Sequence, residues 1–401
     1  MSRRTTTPSI PPILLCLVFA AGCKSVIERQ DVRPRVLRDV PARNLAYRLT
    51  PDVNAPASAK PDDATDKDVN VANFFAAKRE NDALLRTIAS PDGKRLLALY
   101  GVEAEPASAF RIDLFNSDGQ FLRNLIPPDI SCVFPETVGW SPDGRFITFI
   151  AHRRAAPSPT PTPPSELTPA PSPLPGAIPS PQPTASVAPL FPPVASFQTE
   201  QIYICNRDGY DLKPLTIREG LIYFYFSWAP DSSAMVSLAC KEDEWNVRER
   251  QYKLPAGRPR LILPDGTERL LDDAMTEALP VWSPDAAKVA TAFETDVAIY
   301  DVGGNTPTQG RVPLGDQLIA ASVAYEEKSG AKKANANASP AAATSASTVP
   351  PSFNPIVNLE WPSPETLYFK TAYVRLMPSE TINTFQRWHQ LNLSAQAAIL
   401  K

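Results

Sequence analysis

The chain has 401 residues, with 40 Lys and Arg against 43 Asp and Glu, a formal net charge of −3, and only two histidines. That balance argues against a nucleic-acid partner, which needs a basic footprint. Many of the 45 prolines fall in two low-complexity stretches, described below.

At the N-terminus, Arg3-Arg4 precedes the apolar run Ile13-Leu14-Leu15-Cys16-Leu17-Val18-Phe19-Ala20-Ala21. The run is too short for a comfortable membrane span and fits a secretory signal peptide, predicted over residues 1–22. It ends in Ala20-Ala21-Gly22-Cys23, which resembles the bacterial lipobox. The resemblance implies that the Cys23 thiol receives diacylglycerol, that the signal is cut before it, and that membrane lipid is a partner. Lys24 stands where inner-membrane retention in enteric lipoproteins uses Asp, which implies the outer membrane, facing the periplasm, in a two-membrane cell. An ordinary signal peptide with Cys23 incidental is the alternative. Residues 23–80 are expected to be the lipidated N-terminus and a flexible tether, since residues 50–70 are rich in Pro, Ala, Asp and Lys. Ala46-Tyr47-Arg48-Leu49 reads as a stray strand within it.

From residue 81 a turn phrase recurs. It runs Ser90-Pro91-Asp92-Gly93, Trp140-Ser141-Pro142-Asp143-Gly144, Trp228-Ala229-Pro230-Asp231-Ser232 and Trp282-Ser283-Pro284-Asp285-Ala286, with a worn copy at Trp361-Pro362-Ser363-Pro364-Glu365. Ser at i, Pro at i+1, Asp at i+2 and Gly at i+3 suit a type I β-turn. β-prone runs follow at 145–150, 234–239 and 288–293. A second phrase lies further along each unit. Ile112-Asp113-Leu114-Phe115-Asn116-Ser117-Asp118-Gly119 returns as Ile202-Tyr203-Ile204-Cys205-Asn206-Arg207-Asp208-Gly209, and Leu261-Ile262-Leu263-Pro264-Asp265-Gly266 is a third version. Strand, Asp-Gly turn and strand make a hairpin.

The double phrase resembles the TolB-like propeller repeat, also called the WD40-like or PD40 repeat. The resemblance covers roughly residues 85–400 and implies an all-β fold, a β-propeller of four-stranded blades. The region before the propeller is too short and too irregular for the α/β domain that precedes it in TolB, so that domain is not expected. The turn prolines lie at 91, 142, 230, 284 and 364, and two of the gaps are too long for a blade. Removing a Pro-rich insertion at 155–194 and an Ala/Ser/Lys-rich insertion at 327–352, both expected to be disordered, leaves a period of about 50 residues. Five repeats are readable in 81–401. A sixth blade is expected, completed by Ala83-Leu84-Leu85-Arg86-Thr87-Ile88, because pairing an N-terminal strand with the last blade protects exposed edges.

Most conspicuous side chains read as architecture. Asp92, Asp143, Asp231 and Asp285 are expected to bond their own turns. Trp140, Trp228, Trp282 and Trp361 hold equivalent positions and are expected between blades. Trp245, in the polar stretch Lys241-Glu242-Asp243-Glu244-Trp245-Asn246, is either a partly buried blade-edge residue or an exposed binding aromatic. Cys132, Cys205 and Cys240 remain after processing; free buried thiols are expected, with a Cys205–Cys240 disulfide as the alternative. His152 and His389 are far apart, and no His-Glu-x-x-His, Cys-x-x-Cys or Gly-x-Ser-x-Gly phrase occurs. No catalytic residue, cofactor or metal is therefore expected. The expected role is a membrane-anchored, non-catalytic scaffold for an envelope protein partner. A glycan-binding propeller and an accessory to a hydrolase are the alternatives.

Overall fold

The turn phrases fold as their residues dictate. In the first copy Gly93 N–H donates to Ser90 O at 2.8 Å and the Ser90 hydroxyl donates to Asp92 Oδ1 at 2.7 Å. Asp92 also accepts from Lys94 N–H at 3.1 Å. The Ser141–Asp143 and Ser283–Asp285 pairs repeat this at 2.6 Å. The last turn residue is left-handed in every one of these copies: Gly93 and Gly144 have φ of 67° and 69°, and Ser232 and Ala286, which replace Gly, have 62° and 58°. The geometry of the turn outlasts the residue that most favours it.

The computed structural model describes residues 36–59, 67–103, 105–106, 108–153, 198–304, 307–329, 352–377 and 380–395, all within one unit, Val36–Lys401. Strand β1 (Leu45–Val53) and helix α1 (Val69–Lys78) come first. Blade 1 holds β2 (Asp82–Ala89), β3 (Arg95–Val102), β4 (Arg111–Asn116) and β5 (Phe121–Asn124). Blade 2 holds the short β6 (Ile130–Ser131) and β7 (Gly139–Trp140), both on β8 (Phe146–Arg153), then β9 (Gln201–Asn206) and β10 (Lys213–Pro214). Blade 3 holds β11 (Leu221–Trp228) and β12 (Met235–Lys241), then helix α2 (Glu242–Arg250), β13 (Arg258–Ile262) and β14 (Glu268–Leu270). Blade 4 holds β15 (Val281–Trp282), β16 (Lys288–Phe293), β17 (Asp296–Asp301) and β18 (Gln309–Pro313), followed by helix α3 (Gly315–Ser329). Blade 5 holds β19 (Ser352–Phe353), β20 (Ile356–Ser363), β21 (Thr366–Met377) and β22 (Glu380–Ala395). Every strand pair is antiparallel, and the architecture is an all-β propeller of four-stranded blades.

Alternation puts one face of each blade against the next. Leu97, Leu99, Ile112 and Leu114 of blade 1 pack with Ile147, Phe149 and Tyr203 of blade 2. Equivalent clusters join blades 2 and 3, 3 and 4, and 4 and 5. The Trp of the turn phrase adds a polar tie to the preceding blade: Trp140 Nε1 donates to Ile88 O at 3.2 Å, Trp228 Nε1 to Thr148 Oγ1 at 2.9 Å, and Trp282 Nε1 to Ser227 O at 3.0 Å. Buried Trp361 Nε1 has no hydrogen-bond partner among the described residues. The other face of blade 1, with Leu96, Ala98, Tyr100 and Phe115, is covered by Val71 and Phe75 of α1. That helix starts where Asp68 accepts from Asn70 and Val71 N–H at 2.9 and 3.1 Å, an N-cap that satisfies two otherwise orphaned donors.

Two expectations are corrected. The described residues form five sheets, not six, and Ala83–Ile88 lies in β2, the innermost strand of blade 1. The strand before each turn phrase is the inner one, and β2 holds that place for the one phrase that lacks Trp. Closure is made by β1, paired with β22 from Leu45↔Ala395 to Val53↔Trp388. The stretch 23–80 is therefore not all tether: residues 37–53 and α1 belong to the propeller. Both insertions, 155–194 wholly and 327–352 for the most part, lie outside the described residues. The ends of the second fall in α3 and β19.

Antiparallel pairing also sorts the connections by face. The Ser-Pro-Asp and Asp-Gly turns lie at one end of the blades. The second-to-third strand connections, including α2, lie at the other.

Candidate functional site

Cys23 lies outside the described residues. Asp92, Asp143, Asp231 and Asp285 each accept a backbone N–H two residues on, from Lys94, Arg145, Ser233 and Ala287. The Ser90 hydroxyl first, then Arg207 at 2.7 Å, hold Asp92 well below the usual carboxylate range. Trp140, Trp282 and Trp361 are buried at the blade junctions and Trp228 is half-buried there. Trp245 packs against Phe134 and Phe224, with ring centroids at 6.0 and 5.5 Å, rather than facing solvent. Cys132, Cys205 and Cys240 are buried, and Cys205 and Cys240 are not joined to each other. Burial pushes the Cys205 and Cys240 thiols up to about 12, which keeps them unreactive.

The two histidines sit in different blades. His152 Nδ1 is 3.4 Å from Glu200 Oε1. His389 is fully buried; Asp52 N–H donates to its Nδ1 at 3.3 Å, so Nε2 carries the proton and donates to Thr371 Oγ1 at 2.9 Å. Burial, then Arg387, lowers its pKa to about 4, so the ring is neutral and ties β1 to β22. Among the described residues no group of three or more His, Cys, Asp and Glu is placed to hold a metal ion.

A groove of about 660 Å³ lies between blades 3, 4 and 5, at the end away from the Ser-Pro-Asp turns. The loop after α2 supplies Leu254 and Ala256, the turn between β16 and β17 supplies Phe293 to Asp296, and blade 5 supplies Phe353, Ile356 and Val357. Two ties shape it. Ile356 N–H donates to Glu294 O at 2.7 Å, where Glu294 has a φ of 54°, and Arg248 pairs with Glu277 across the blade 3 side. Arg311 lies over the Phe293 ring at 4.7 Å and pairs with Asp272 at 3.1 Å. Leu254, Phe353 and Val357 are 69%, 39% and 41% exposed. The mouth thus mixes exposed apolar side chains with charged ones, a surface that can take both apolar and polar groups of a ligand. None of these residues belongs to a repeat phrase. The sequence signal for them is apolar residues in connections where solvated ones are usual, as in Lys253-Leu254-Pro255.

A second cluster is buried. Asp113, with no exposed surface, meets Arg79 at 2.7 Å and accepts from Asn124 at 2.6 Å and from the Tyr100 hydroxyl at 3.2 Å. Burial raises Asp113 to about 6, and Arg79 only partly offsets this. Arg79 caps α1 and lies over the rings of Phe75, Tyr100 and Phe121. The cluster fastens α1 to blade 1.

No family model matches the chain, and no curated protein matches it. Among solved structures it is similar to prolyl oligopeptidase B from Galerina marginata, with 10% identity over 90% of this chain and 44% of that one and a TM-score of 0.41. It is similar to oligogalacturonate lyase from Vibrio parahaemolyticus, with 8% identity, 77% and 65% coverage and a TM-score of 0.34. A chain of the nidogen/laminin complex follows, with 11% identity, 78% and 86% coverage and a TM-score of 0.32. The chain spans less than half the length of the prolyl oligopeptidase. The propeller assignment rests on the chain's own five sheets.

Proposed function

We propose that this chain is an exported lipoprotein, anchored through acylated Cys23 in the cell envelope, whose TolB-like propeller is a non-catalytic scaffold for a protein partner. The observation that carries the reading is the groove between blades 3, 4 and 5, where Leu254, Phe353 and Val357 stand exposed beside charged residues. Phe353 and Val357, held on strands β19 and β20, are binding surface already prepared, because little ordering cost remains there on association. In-cell photo-crosslinking tests it, with the reactive residue at Leu254 or Val357 and a control at Tyr210, which is 54% exposed at the other end of the blades. A protein adduct at the groove positions and not at Tyr210 is expected. Glycan adducts alone, or equal labelling at all three, would replace the reading. The anchor is tested separately: Cys23→Ser should move the protein from the membrane to the soluble fraction and abolish lipid labelling.

A further inference from the structure

Among the described residues, six other than glycine have left-handed backbone: Asp52, Asp211, Ser232, Tyr252, Ala286 and Glu294. Asp tolerates that region, and Ser232 and Ala286 close Ser-Pro-Asp turns. The two with long side chains, Tyr252 and Glu294, both stand at the groove between blades 3, 4 and 5. Glu294 lines it, and Tyr252 comes two residues before Leu254, which also lines it. Tyr252 follows the C-cap of α2. Its N–H donates to Glu249 O at 2.9 Å and the Lys253 N–H donates to Arg248 O at 3.0 Å, a helix ending whose left-handed position ordinarily falls to glycine. Tyr252 has a φ of 53° and is 98% exposed, so its ring gives the fold no burial in return for the strain. The loop is nonetheless fixed: Arg248 Nε donates to Leu254 O at 2.8 Å and the same guanidinium pairs with Glu277.

The unpaired charge in the groove is negative. Its two arginines are engaged, Arg248 with Glu277 and Arg311 with Asp272 at 3.1 Å. Glu294 is exposed and Asp296 half-buried, and neither has an ion-pair partner among the described residues. Arg250 and Lys253, exposed on the α2 loop, do not line the groove. Leu254 and Val357, 69% and 41% exposed, gain only from an apolar covering. A glycan offers little apolar surface to them, and the two carboxylates disfavour an anionic ligand. A protein segment with apolar and basic side chains satisfies both parts of the rim.

We propose that Tyr252 and Glu294 select the groove's partner: Tyr252 enters an apolar pocket of a partner protein, and Glu294, with Asp296, takes a Lys or Arg of the segment laid in the groove. Strained residues gather at ligand clamps, and tyrosine is enriched among the few residues that dominate an interface. The inference rests on the scaffold reading and names the chemistry of the partner. The test puts a photo-reactive residue at Val357 of the full chain in cells, alone and combined with Tyr252→Gly, Tyr252→Phe or Glu294→Gln. The protein adduct should fall about tenfold or more with Tyr252→Gly and with Glu294→Gln, and persist with Tyr252→Phe, which keeps the ring. The partner peptide joined to Val357 should carry Lys or Arg. Purified Tyr252→Gly should unfold at no lower a urea concentration than the parent chain, because glycine suits the left-handed position. A loss of adduct that comes with a lower urea midpoint would make Tyr252 structural and overturn the proposal. So would an adduct undiminished by either change, or one formed only within the chain itself. An undiminished protein adduct removes this inference and leaves the scaffold reading; no protein adduct in the parent chain removes both.

Discussion

The indole nitrogens give the sharpest prediction about how the blades are held together. Trp282 and Trp361 hold equivalent positions and are equally buried, at 8% and 7% exposure. Trp282 Nε1 donates to Ser227 O at 3.0 Å, whereas Trp361 Nε1 has no partner among the described residues. Replacing either by Phe removes similar volume, at about 1 kcal/mol for the partly refilled space. In Trp282→Phe the Ser227 carbonyl also loses its donor, at about 1–3 kcal/mol. In Trp361→Phe an unsatisfied buried N–H disappears, which returns a similar amount. Trp282→Phe should thus cost about 2–4 kcal/mol and Trp361→Phe close to zero. Urea unfolding followed by far-ultraviolet circular dichroism reads the difference as a midpoint gap of roughly 1 M, at a slope of about 3 kcal/mol/M. Equal losses, or a larger one for Trp361→Phe, would mean that volume alone fixes these tryptophans.

Gly93→Ala should destabilise by about 1 kcal/mol, because φ is 67° and a Cβ there meets nothing within 4 Å, so the effect is purely backbone; no change in melting temperature would count against it. Two buried groups oppose one another on acidification. Asp113 has a raised folded pKa of about 6, so its contribution is favourable at low pH and lost as pH rises through 6. His389 has a folded pKa lowered to about 4, so its contribution is favourable near neutrality and lost as pH falls from 6.5 to 4. Each is worth about 3 kcal/mol, and the wild type should be nearly flat between pH 7 and 4 on their account. Asp113→Asn, left with His389 unopposed, should lose about 3 kcal/mol more than wild type over that range in urea titrations, and parallel profiles would refute the pairing. Gly310→Ala places a Cβ within contact distance of Ala42 O and should lift residues 37–42 off blade 4. Limited trypsin digestion should then cut at Arg43 several-fold faster than in wild type, and an unchanged rate would show that residues 37–42 are not held there.

The turn phrases made most of the fold legible, because their chemistry is local. Serine, proline and aspartate close their own turn, and the alternation after them is complete within a few residues. That is why residues 145–150, 234–239 and 288–293 read as strands and are found in β8, β12 and β16. Closure was not legible in the same way. Ala46–Leu49 and Ala83–Ile88 look alike as short β-prone patches, and only pairing decides that the first completes blade 5 while the second opens blade 1. The groove was hidden for a related reason, since Leu254, Phe293 and Val357 are spread over about 100 residues and share no phrase.

By itself the sequence determined the repeat, the chemistry of its turns and the positions of the tryptophans, all properties of near neighbours in the chain. Tertiary structure alone decided which tryptophan finds an acceptor, which strand closes the last blade and where residues 37–42 lie against blade 4. Those depend on backbone carbonyls and carboxylates brought in from other blades, such as Ser227 to Trp282 and Asp301 to Ala42, and no local pattern encodes a partner 55 or 259 residues away.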